Sequence, residues 1–544
     1  MPDYKEILRY CHTFRYLRPR QVLYQVRRKI WPPRLATLVE NPPKPAAFAL
    51  IPWPSRPSSY NGSGLFRFLN QEYDCGWPPD WRAPGLSHLW RYNLHYFDYL
   101  HQPGMDQETA LALIRHWMEH YSPQSEAVGW EPYALSLRLV NWIKYFSDRV
   151  PSNDIIYSIA LQAENLRIQI EYHILGNHLV SDAKALWFAG TFLRNDRLRK
   201  LGRHIILSEV KEQFLPDGGH FELTPMYQSI MVEHLLDLIN LCQSDGNNDD
   251  KDALPGLIKA ASQGLGWLGI ITDAQGDFPL LSDSAHGGST HYTELLAYAR
   301  RLGVQPNQEQ IPRVTVGEWE GFFLSGYWVM SHNQLRLIFD TALLGPDYLP
   351  GHAHCDMLSV LLDINGKSIF ADTGIYEYAE GRRRMYSRNT AAHNTVMLDG
   401  LEQADCWKSF RMGLRGHPRN IQQEGQTIRC SHTGFAIWQR GLYHERELAL
   451  RQNGFDITDH LRGPSQHNFQ AFFHCHPDVQ LKSTSDGNIV INDCLYLEPW
   501  GAQVNISSSE YYPEFGVVLN RPCLILNGSF FRRGSFGLKC TFFS

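Results

Sequence analysis

The densest group of chemically capable side chains lies in residues 351–356, whose sequence is Gly-His-Ala-His-Cys-Asp. If this stretch is extended on entering a strand, His352, His354 and Asp356 share one face, because side chains alternate along a strand. Three such groups are costly to bury without partners. The pattern therefore favours metal binding or proton transfer over simple packing.

Two further candidates lie in a segment whose apolar spacing is helical. Asn177 and His178 interrupt helical segments at an inter-helix turn, where site residues tend to lie; the alternative is that Asn177 only caps a helix. Thr224 and Pro225 have the pattern of a helix start, which places Tyr227 in the first turn, where the positive helix end favours a phenolate. The alternative for Tyr227 is an ordinary core or solvent-facing tyrosine.

The elements that must position these residues fall into two halves. Residues 87–302 have helical apolar spacing interrupted by short polar breaks, which predicts successive antiparallel helices. From residue 321 onward the runs are strand-like and are separated by hairpin signals such as Asn365-Gly366 and Asn453-Gly454. We therefore predict a helical N-terminal half and an antiparallel β C-terminal half, with a boundary near residues 305–317.

Composition excludes several classes of protein. The 544 residues include 51 Lys and Arg against 56 Asp and Glu, a formal charge of −5, so the chain lacks the global positive field of a nucleic-acid binder. No run approaches the length of a transmembrane helix. Aromatic residues make up 12% of the chain, which fits a protein that stacks sugar rings but also fits an ordinary core.

The N-terminal residues show no secretory signal pattern, because the chain begins with charged residues and lacks a continuous apolar stretch. A cytoplasmic location is therefore the default expectation, and the ten cysteines, without a Cys-x-x-Cys pair, fit a reducing compartment.

In residues 21–31, Val22, Val26 and Ile30 form a helical stripe beside basic residues. We expect this helix to pack on its own domain; a partner or membrane-surface contact is the alternative.

The ordered set of motifs resembles the heparinase II/III-like polysaccharide lyases over about residues 85–400. The matching elements are Asn177-His178, residues 218–227, residues 351–354, residues 371–374 and residues 392–395. The resemblance implies a multidomain α+β fold, an incomplete (α/α) toroid of antiparallel helices followed by an antiparallel β-sandwich. It implies residues 1–80 as an extension packing on the toroid, 81–310 as the toroid and 311–544 as the sandwich.

The chemistry implied by this resemblance is β-elimination at a uronic acid. A base removes the C5 proton, the carboxylate is neutralised, and an acid protonates the departing O4. Asn177 would neutralise the carboxylate, Tyr227 would be the acid and also a candidate base, His352 would lie at the reacting sugar, and His178 is the alternative base. The division of roles among them stays open.

The same resemblance implies a structural divalent metal, zinc by its ligand types, held by His354, Asp372 and His393. The alternative is a hydrogen-bonded polar cluster without metal. The expected substrate contacts are seven residues, for each of which a structural role is equally expected: Asn93, His95, Tyr96, Arg138, Glu222, Tyr386 and Arg388.

These observations predict a polysaccharide lyase that cleaves an anionic, uronate-containing glycan, in capsule or exopolysaccharide metabolism. One alternative is a uronyl C5-epimerase with the same proton abstraction, and another is a non-catalytic glycan-binding or assembly protein. A two-carboxylate hydrolase and the metallo-hydrolases fit less well; in particular, Met357 stands where the metallo-β-lactamase-like pattern has a further histidine. A periplasmic location is the alternative that the resemblance implies, and the oligomeric state is left open.

Overall fold

The computed structural model describes residues 4–40, 44–46, 48–123, 128–244 and 248–542. Helices dominate the N-terminal half and antiparallel sheets the C-terminal half, which confirms the predicted fold class. Within the described residues, none of the helices combines the length and the apolar character needed to cross a membrane.

Twelve α-helices are present in the described residues. In chain order they are α1 (Tyr4–Phe14), α2 (Pro19–Ile30), α3 (His88–Tyr96), α4 (Gln107–His120), α5 (Pro132–Tyr145), α6 (Asn153–Ile168), α7 (Gly176–Phe192), α8 (Asp196–Gln213), α9 (Pro225–Ser244), α10 (Leu254–Ile271), α11 (Tyr292–Arg301) and α12 (Arg382–Arg388). We call α3–α11 the helical domain.

The helical domain is built around α7, which packs against α5, α6, α8 and α9. Sixteen of the 17 residues of α7 are buried, so this helix is apolar on nearly every side, as expected of a helix enclosed by others. Fully buried tryptophans fill the core between these helices, among them Trp90, Trp142 and Trp187. The result is a rigid frame in which the ends of several helices meet the β half.

The strands form two large sheets and two small hairpins. The strands are β1 (Leu65–Phe68), β2 (Gln71–Asp74), β3 (Arg313–Val316), β4 (Trp319–Leu324), β5 (Tyr327–His332), β6 (Leu335–Asp340), β7 (Val360–Ile364), β8 (Lys367–Phe370), β9 (Val396–Leu398), β10 (Ala404–Trp407), β11 (Arg411–Arg415), β12 (Pro418–Glu424), β13 (Thr427–His432), β14 (Tyr443–Arg451), β15 (Gly454–His474), β16 (Leu481–Ser483), β17 (Ile489–Ile491), β18 (Leu495–Trp500), β19 (Gln503–Tyr511) and β20 (Leu519–Phe542). We call β3–β20 together with α12 the β domain.

One sheet is a meander in which β3 to β8 lie in sequence order, each antiparallel to the next. The other has the order β12-β13-β14-β15-β20-β18-β17-β16, with β9 beside β15 and β19 beside β20. Strand β14 alternates between half-buried and buried residues, the pattern of a sheet with one face in a core. Side chains of both sheets, such as Phe339 and Phe473, share a single apolar core, so the sheets form a sandwich.

The N-terminal extension contacts both halves of the molecule. Helix α1 packs on β11, with the Arg9 Nε donating to the carboxylate of Asp405 at 3.0 Å and the Tyr10 ring edge-on to Trp407.

The β1–β2 hairpin and the segments around Ala36 and Ile51 lie on the helical domain, where Phe66 is buried in the core and the Ala36 amide donates to Asn165. Helix α2 meets both domains, through Gln169 of the helical domain and Tyr348 of the β domain. The whole extension was expected on the toroid; the contact of α1 with the β domain includes an ion pair between residues 396 positions apart.

Candidate active site

Tyr227 lies in the first turn of α9, at the face of the helical domain that meets the β domain. The Met226 amide at the start of α9 donates to the Ser284 hydroxyl at 3.2 Å, while the Thr224 hydroxyl donates back to the Glu222 carbonyl at 3.1 Å. Thr224 directly precedes the helix, as its position in the sequence predicts, and its carbonyl accepts from the Gln228 amide at 2.9 Å. The Tyr227 hydroxyl is hydrogen-bonded to that of Tyr378, from the β domain, at 3.0 Å.

His352 stacks on the ring of Tyr227, with ring centroids 3.8 Å apart and planes inclined by 16°. Its Nδ1 is 2.5 Å from an oxygen of the buried Glu222 carboxylate. Burial by itself raises the pKa of Glu222, but the adjacent imidazoles of His352 and His220 outweigh burial and hold that pKa below its ordinary value. The pair is therefore an imidazole oriented by an ionised carboxylate, which leaves Nε2 for chemistry.

Asn177 and His178 lie in the first turn of α7, which begins with backbone that favours glycine. Gly176 has a φ of +58°, and a Cβ there would lie 2.5 Å from the Leu349 side chain and 3.0 Å from the Glu222 carboxylate. The start of α7 can therefore approach the Glu222–His352 pair closely only because residue 176 is glycine.

His178 is held on two sides. Its Nδ1 is 2.7 Å from a carboxylate oxygen of Glu171, and its ring lies 4.3 Å from that of Tyr133. Burial alone lowers the pKa of His178, but the charge and hydrogen bond of Glu171 outweigh it, so the pKa is raised above the ordinary 6.5. The imidazole is thereby biased toward its cationic form, which attracts a carboxylate.

Three tyrosine hydroxyls converge on the same region from different elements. Tyr133, at the start of α5, lies beside Asn177, and burial raises its pKa to about 12. Burial also raises the pKa of Tyr227 and of Tyr378 well above the ordinary 10. All three are protonated at neutral pH and can donate a hydrogen bond or a proton.

Residues 352–356 lie in the irregular connection between β6 and β7, not in a strand. The expectation that His352, His354 and Asp356 share one face is therefore wrong for His352, which turns toward Tyr227. The backbone is fixed there by hydrogen bonds from the Asp283 amide to the His352 carbonyl and from the Cys355 amide to the Arg388 carbonyl. One short loop thus serves two separate clusters.

The second cluster contains His354, Asp356 and His393, whose ligand atoms all lie within 4.8 Å of one another. All three residues are buried. His354 Nδ1 and His393 Nε2 find no hydrogen-bond partner among the described residues. Burial raises the pKa of Asp356 to about 6, and the nearby Asp372 carboxylate adds to the shift, although His393 opposes it. Two unpartnered buried imidazole nitrogens beside a buried carboxylate are the donor set of a divalent metal site.

Asp372 occupies a different place from the one predicted. Its two carboxylate oxygens lie 2.9 and 3.1 Å from Nδ1 of His393, on the opposite side of the ring from the free nitrogen. In the same way Asp283 lies 2.8 Å from Nε2 of His354. Asp372 is therefore an orienting partner of His393 in this arrangement, and Asp356 takes the place in the group that Asp372 was expected to fill.

Asp283, from the helical domain, and Arg384, from α12 of the β domain, form an ion pair next to His354. The Arg384 guanidinium donates through both terminal nitrogens to the Asp283 carboxylate, with one N–O distance of 2.9 Å, and neither side chain is exposed. Burial raises the pKa of Asp283, but Arg384 and His354 outweigh it and lower that pKa strongly. The ion pair is a rigid support behind His354.

Two of the predicted substrate contacts are core residues. Arg138 is fully buried, stacks on Trp117 at 4.0 Å and donates to Gln162 at 2.8 Å, and His95 accepts from the Trp117 indole at 3.1 Å. Both point into the helical core because α5 and α3 turn that face inward. Neither is placed to meet a substrate.

Arg388 is also a structural residue. It is fully buried, and its guanidinium donates only to backbone carbonyls within the described residues, including those of Ala353 and Ser409. Tyr386 lies edge-on to Tyr512, with ring centroids 6.4 Å apart. The burial of Arg388 among carbonyls argues against its expected contact with a uronate, whereas the contact expected of Tyr386 stays a prediction.

The remaining predicted contacts differ in their placement. Tyr96 lies edge-on to Tyr133 with ring centroids 6.1 Å apart, so its ring lies close to the tyrosine that adjoins Asn177. Asn93 donates to the Leu89 carbonyl of its own helix at 2.8 Å. Glu222, expected to bind substrate, instead orients His352.

Several residues of the site were missed from sequence. Tyr378 contacts Tyr227 directly but lies 151 positions away along the chain. Glu171 contacts His178 directly but belongs to none of the motifs described above. For Glu171, a carboxylate seven residues before His178, the local spacing was a usable signal. For Tyr378 and Arg384 the sequence carries none, since their roles depend on the packing of the two domains.

Comparisons with known proteins match both halves. The model described as Heparinase II/III N-terminus matches residues 91–311, and the model described as Heparinase II/III-like, C-terminal matches residues 320–524. A curated heparin-sulfate lyase from Bacteroides stercoris is 25% identical over 307 residues, which are 51% of this chain and 45% of that protein. The chain therefore matches less than half the length of that relative.

Solved structures share the fold. A heparinase III structure superposes with a TM-score of 0.61 at 15% identity, covering 84% of this chain and 76% of the other. A mutant of the heparan sulfate lyase HepC from Pedobacter heparinus gives 0.56 at 17% identity, covering 89% and 81%. With both family models matched in order over most of its length, the chain belongs to the heparinase II/III-like family.

Proposed function

We propose that this protein is a polysaccharide lyase that cleaves a uronic-acid-containing glycan by β-elimination. The observation that carries the proposal is the stacked Tyr227–His352 pair, held between the two domains beside the helix start that bears Asn177. The relatives, a heparin-sulfate lyase and a heparan sulfate lyase, support a glycan substrate and this reaction class.

Neutralisation of the substrate carboxylate is the first requirement, because the C5 proton is too weakly acidic to leave otherwise. Asn177 and His178 lie in the first turn of α7, whose positive end favours an anion. The raised pKa of His178 adds a positive charge there. We therefore assign these two residues to the substrate carboxylate. Their hydrogen bonds become stronger as negative charge develops on the enolate, and this lowers the barrier to removal of the C5 proton.

Proton transfer falls to the stacked pair. Tyr227 is protonated because burial raises its pKa, which suits an acid that protonates the departing O4. His352, oriented through Nδ1 by Glu222, presents Nε2 as the base for the C5 proton. We assign His178 to the carboxylate rather than to the C5 proton, because Glu171 favours its protonated form.

We also propose that His354, Asp356 and His393 hold one structural divalent metal, with zinc as the best fit to two imidazoles and a carboxylate. The two unpartnered nitrogens fit such a group. When bound, the metal supplies a positive charge that compensates the buried carboxylates. Asp283 and Asp372 then orient the two imidazoles through their other nitrogens.

A panel of uronate polysaccharides tests the activity. Heparan, hyaluronan, alginate and bacterial capsule glycans are each incubated with the full-length protein, and ultraviolet absorbance is followed. Elimination creates a conjugated double bond and shortens the chain. A C5-epimerase would leave chain length unchanged and take up solvent hydrogen at C5, and a binding protein would do neither.

A further inference from the structure

Helix α2 packs on the rest of the protein through one face, which meets both the helical domain and the β6–β7 connection. The Gln21 amide donates to the Tyr348 carbonyl at 3.2 Å, the Tyr24 ring lies 4.7 Å from that of Tyr172, and Arg28 donates to the Gln169 carbonyl at 3.3 Å. These residues recur every three or four positions, so they mark the side of α2 that faces the protein.

The opposite side of α2 is apolar and exposed. Leu23, Val26 and Ile30 follow the same helical spacing, and their exposed fractions are 63%, 46% and 58%. Trp31 directly follows the helix and is 70% exposed. Single exposed apolar residues are common, but three that adjoin on one helix, with an exposed Trp directly after it, mark a binding surface. The helix packs on the protein as expected, but Val26 and Ile30 of the predicted stripe do not take part in that packing.

The charge around this stripe has one sign. Residues 18–34 contain six basic residues and no Asp or Glu. Arg27, Lys29 and Arg34 are exposed. Arg18 is paired with Glu212, and Arg20 stacks on Tyr172, so both are engaged with the protein. The exposed basic residues therefore supply the positive charge next to the stripe.

A cavity of about 520 Å³ lies beside the C-terminal end of α2, between this helix and residues 167–170 of the helical domain. Its lining includes Arg27, Arg28, Arg34, Arg167 and Trp31, and none of its lining residues is acidic. Arg167 is partly neutralised by Glu164, which leaves the other three guanidinium groups to attract an anion. Guanidinium groups beside an exposed indole suit a phosphate that is attached to an apolar body.

We propose that α2 docks this protein on an anionic lipid membrane surface. The stripe of Leu23, Val26, Ile30 and Trp31 enters the boundary between headgroups and acyl chains, and the arginine-lined cavity takes a lipid phosphate. An apolar stripe flanked by Lys and Arg, with a terminal Trp, is the arrangement of an interfacial amphipathic helix. An acidic protein partner would match the charges but would not require the apolar stripe and the arginine-lined cavity together.

Vesicle co-sedimentation of the full-length protein tests this proposal. Vesicles of phosphatidylcholine alone are compared with vesicles that also contain phosphatidylglycerol. We expect binding to the anionic vesicles to be about tenfold stronger or more and to weaken with salt. The double variant Val26→Glu and Ile30→Glu, which places two carboxylates in the stripe, should reduce binding to anionic vesicles about tenfold or more. The double variant Arg27→Gln and Arg34→Gln, which removes two positive charges, should abolish the preference for anionic vesicles.

The matched control is the pair Val150→Glu and Val518→Glu, which adds two carboxylates at exposed valines outside α2. It should bind vesicles like the unmodified protein. The proposal is overturned if the protein fails to sediment with anionic vesicles, if it prefers neither vesicle, or if the control loses binding as much as the stripe variant. Circular dichroism of each variant checks that these surface changes leave the fold intact.

Discussion

The rings of Tyr227 and His352 lie in near-parallel contact, 3.8 Å between centroids, although one residue belongs to a helix of the helical domain and the other to a loop of the β domain. Neither domain alone contains the pair. The chemistry that we propose therefore depends on the interface between them, where Met226, Ala371 and Phe515 form a shared apolar cluster.

Removal of the Tyr227 hydroxyl tests its role as acid. Tyr227→Phe keeps the ring that stacks on His352 but cannot protonate O4, so we expect the rate of elimination to fall about 10²- to 10⁴-fold. The measurement is the initial rate of ultraviolet absorbance on the best substrate of the panel. Tyr378→Phe removes the neighbouring hydroxyl and serves as the control; an equal loss in both variants would contradict a distinct role for Tyr227.

Glu222 is proposed to act through His352, so its replacement should change rate more than affinity. Glu222→Gln retains the shape of the side chain but cannot stabilise a positive imidazole, and we expect kcat to fall about 10- to 100-fold with little change in KM. Steady-state kinetics separate the two constants. A rise in KM with kcat unchanged would instead support the substrate contact that the sequence suggested.

The His178–Glu171 pair predicts a specific dependence of stability on pH. Because the folded state raises the pKa of His178, it binds that proton more tightly than the unfolded chain does. The resulting stabilisation is fully present below pH 6.5 and is lost as the pH rises through the raised pKa. Glu171→Gln should therefore lower the free energy of unfolding by about 1.5 to 3 kcal/mol below pH 6.5 and by less above it.

Urea unfolding at a series of pH values measures this difference. Glu164→Gln is the control, because Glu164 pairs with Arg167 and its pKa is lowered from 4.5. Its effect should be constant across neutral pH. A Glu171→Gln effect that stays constant, or grows as the pH rises, would contradict the assigned charge of His178.

The proposed metal site predicts a graded response to substitution. Purified protein should contain about one zinc per chain, and His354→Ala, Asp356→Asn or His393→Ala should abolish it. Asp372→Asn, which loses only the partner of His393 Nδ1, should weaken metal affinity about 10- to 100-fold. Metal analysis and thermal unfolding with and without a chelator provide the measurements. Full metal loss in Asp372→Asn with retention in Asp356→Asn would reverse the two roles.

The sequence was sufficient for the fold class because its patterns are local. Helical spacing such as that of Leu135 and Leu139, and turn signals such as Asn453-Gly454, depend only on neighbouring residues. Tyr227 could likewise be placed in a first helical turn, since Pro225 marks the start of α9.

What the sequence could not supply are relationships across the fold. Alternation along residues 352–356 placed three side chains on one face, but contacts with Asp283 and Arg388, distant in the chain, bend this loop so that His352 leaves the group. Arg388 resembled a carboxylate ligand because an arginine's charge is visible in sequence, whereas its burial among carbonyls is not. The sequence also named Asp372 rather than Asp356 as the carboxylate of the metal group. Which carboxylate meets which nitrogen depends on the orientation of the His393 ring, and that orientation is set by the fold.

The mass of the fragments released from a uronate polysaccharide tests β-elimination most directly. Elimination consumes no water, so the new non-reducing end should carry a double bond and weigh one water less than the product of hydrolysis, and Tyr227→Phe should release almost none of it. Saturated fragments of the hydrolytic mass, or cleavage that persists undiminished in Tyr227→Phe, would contradict the account.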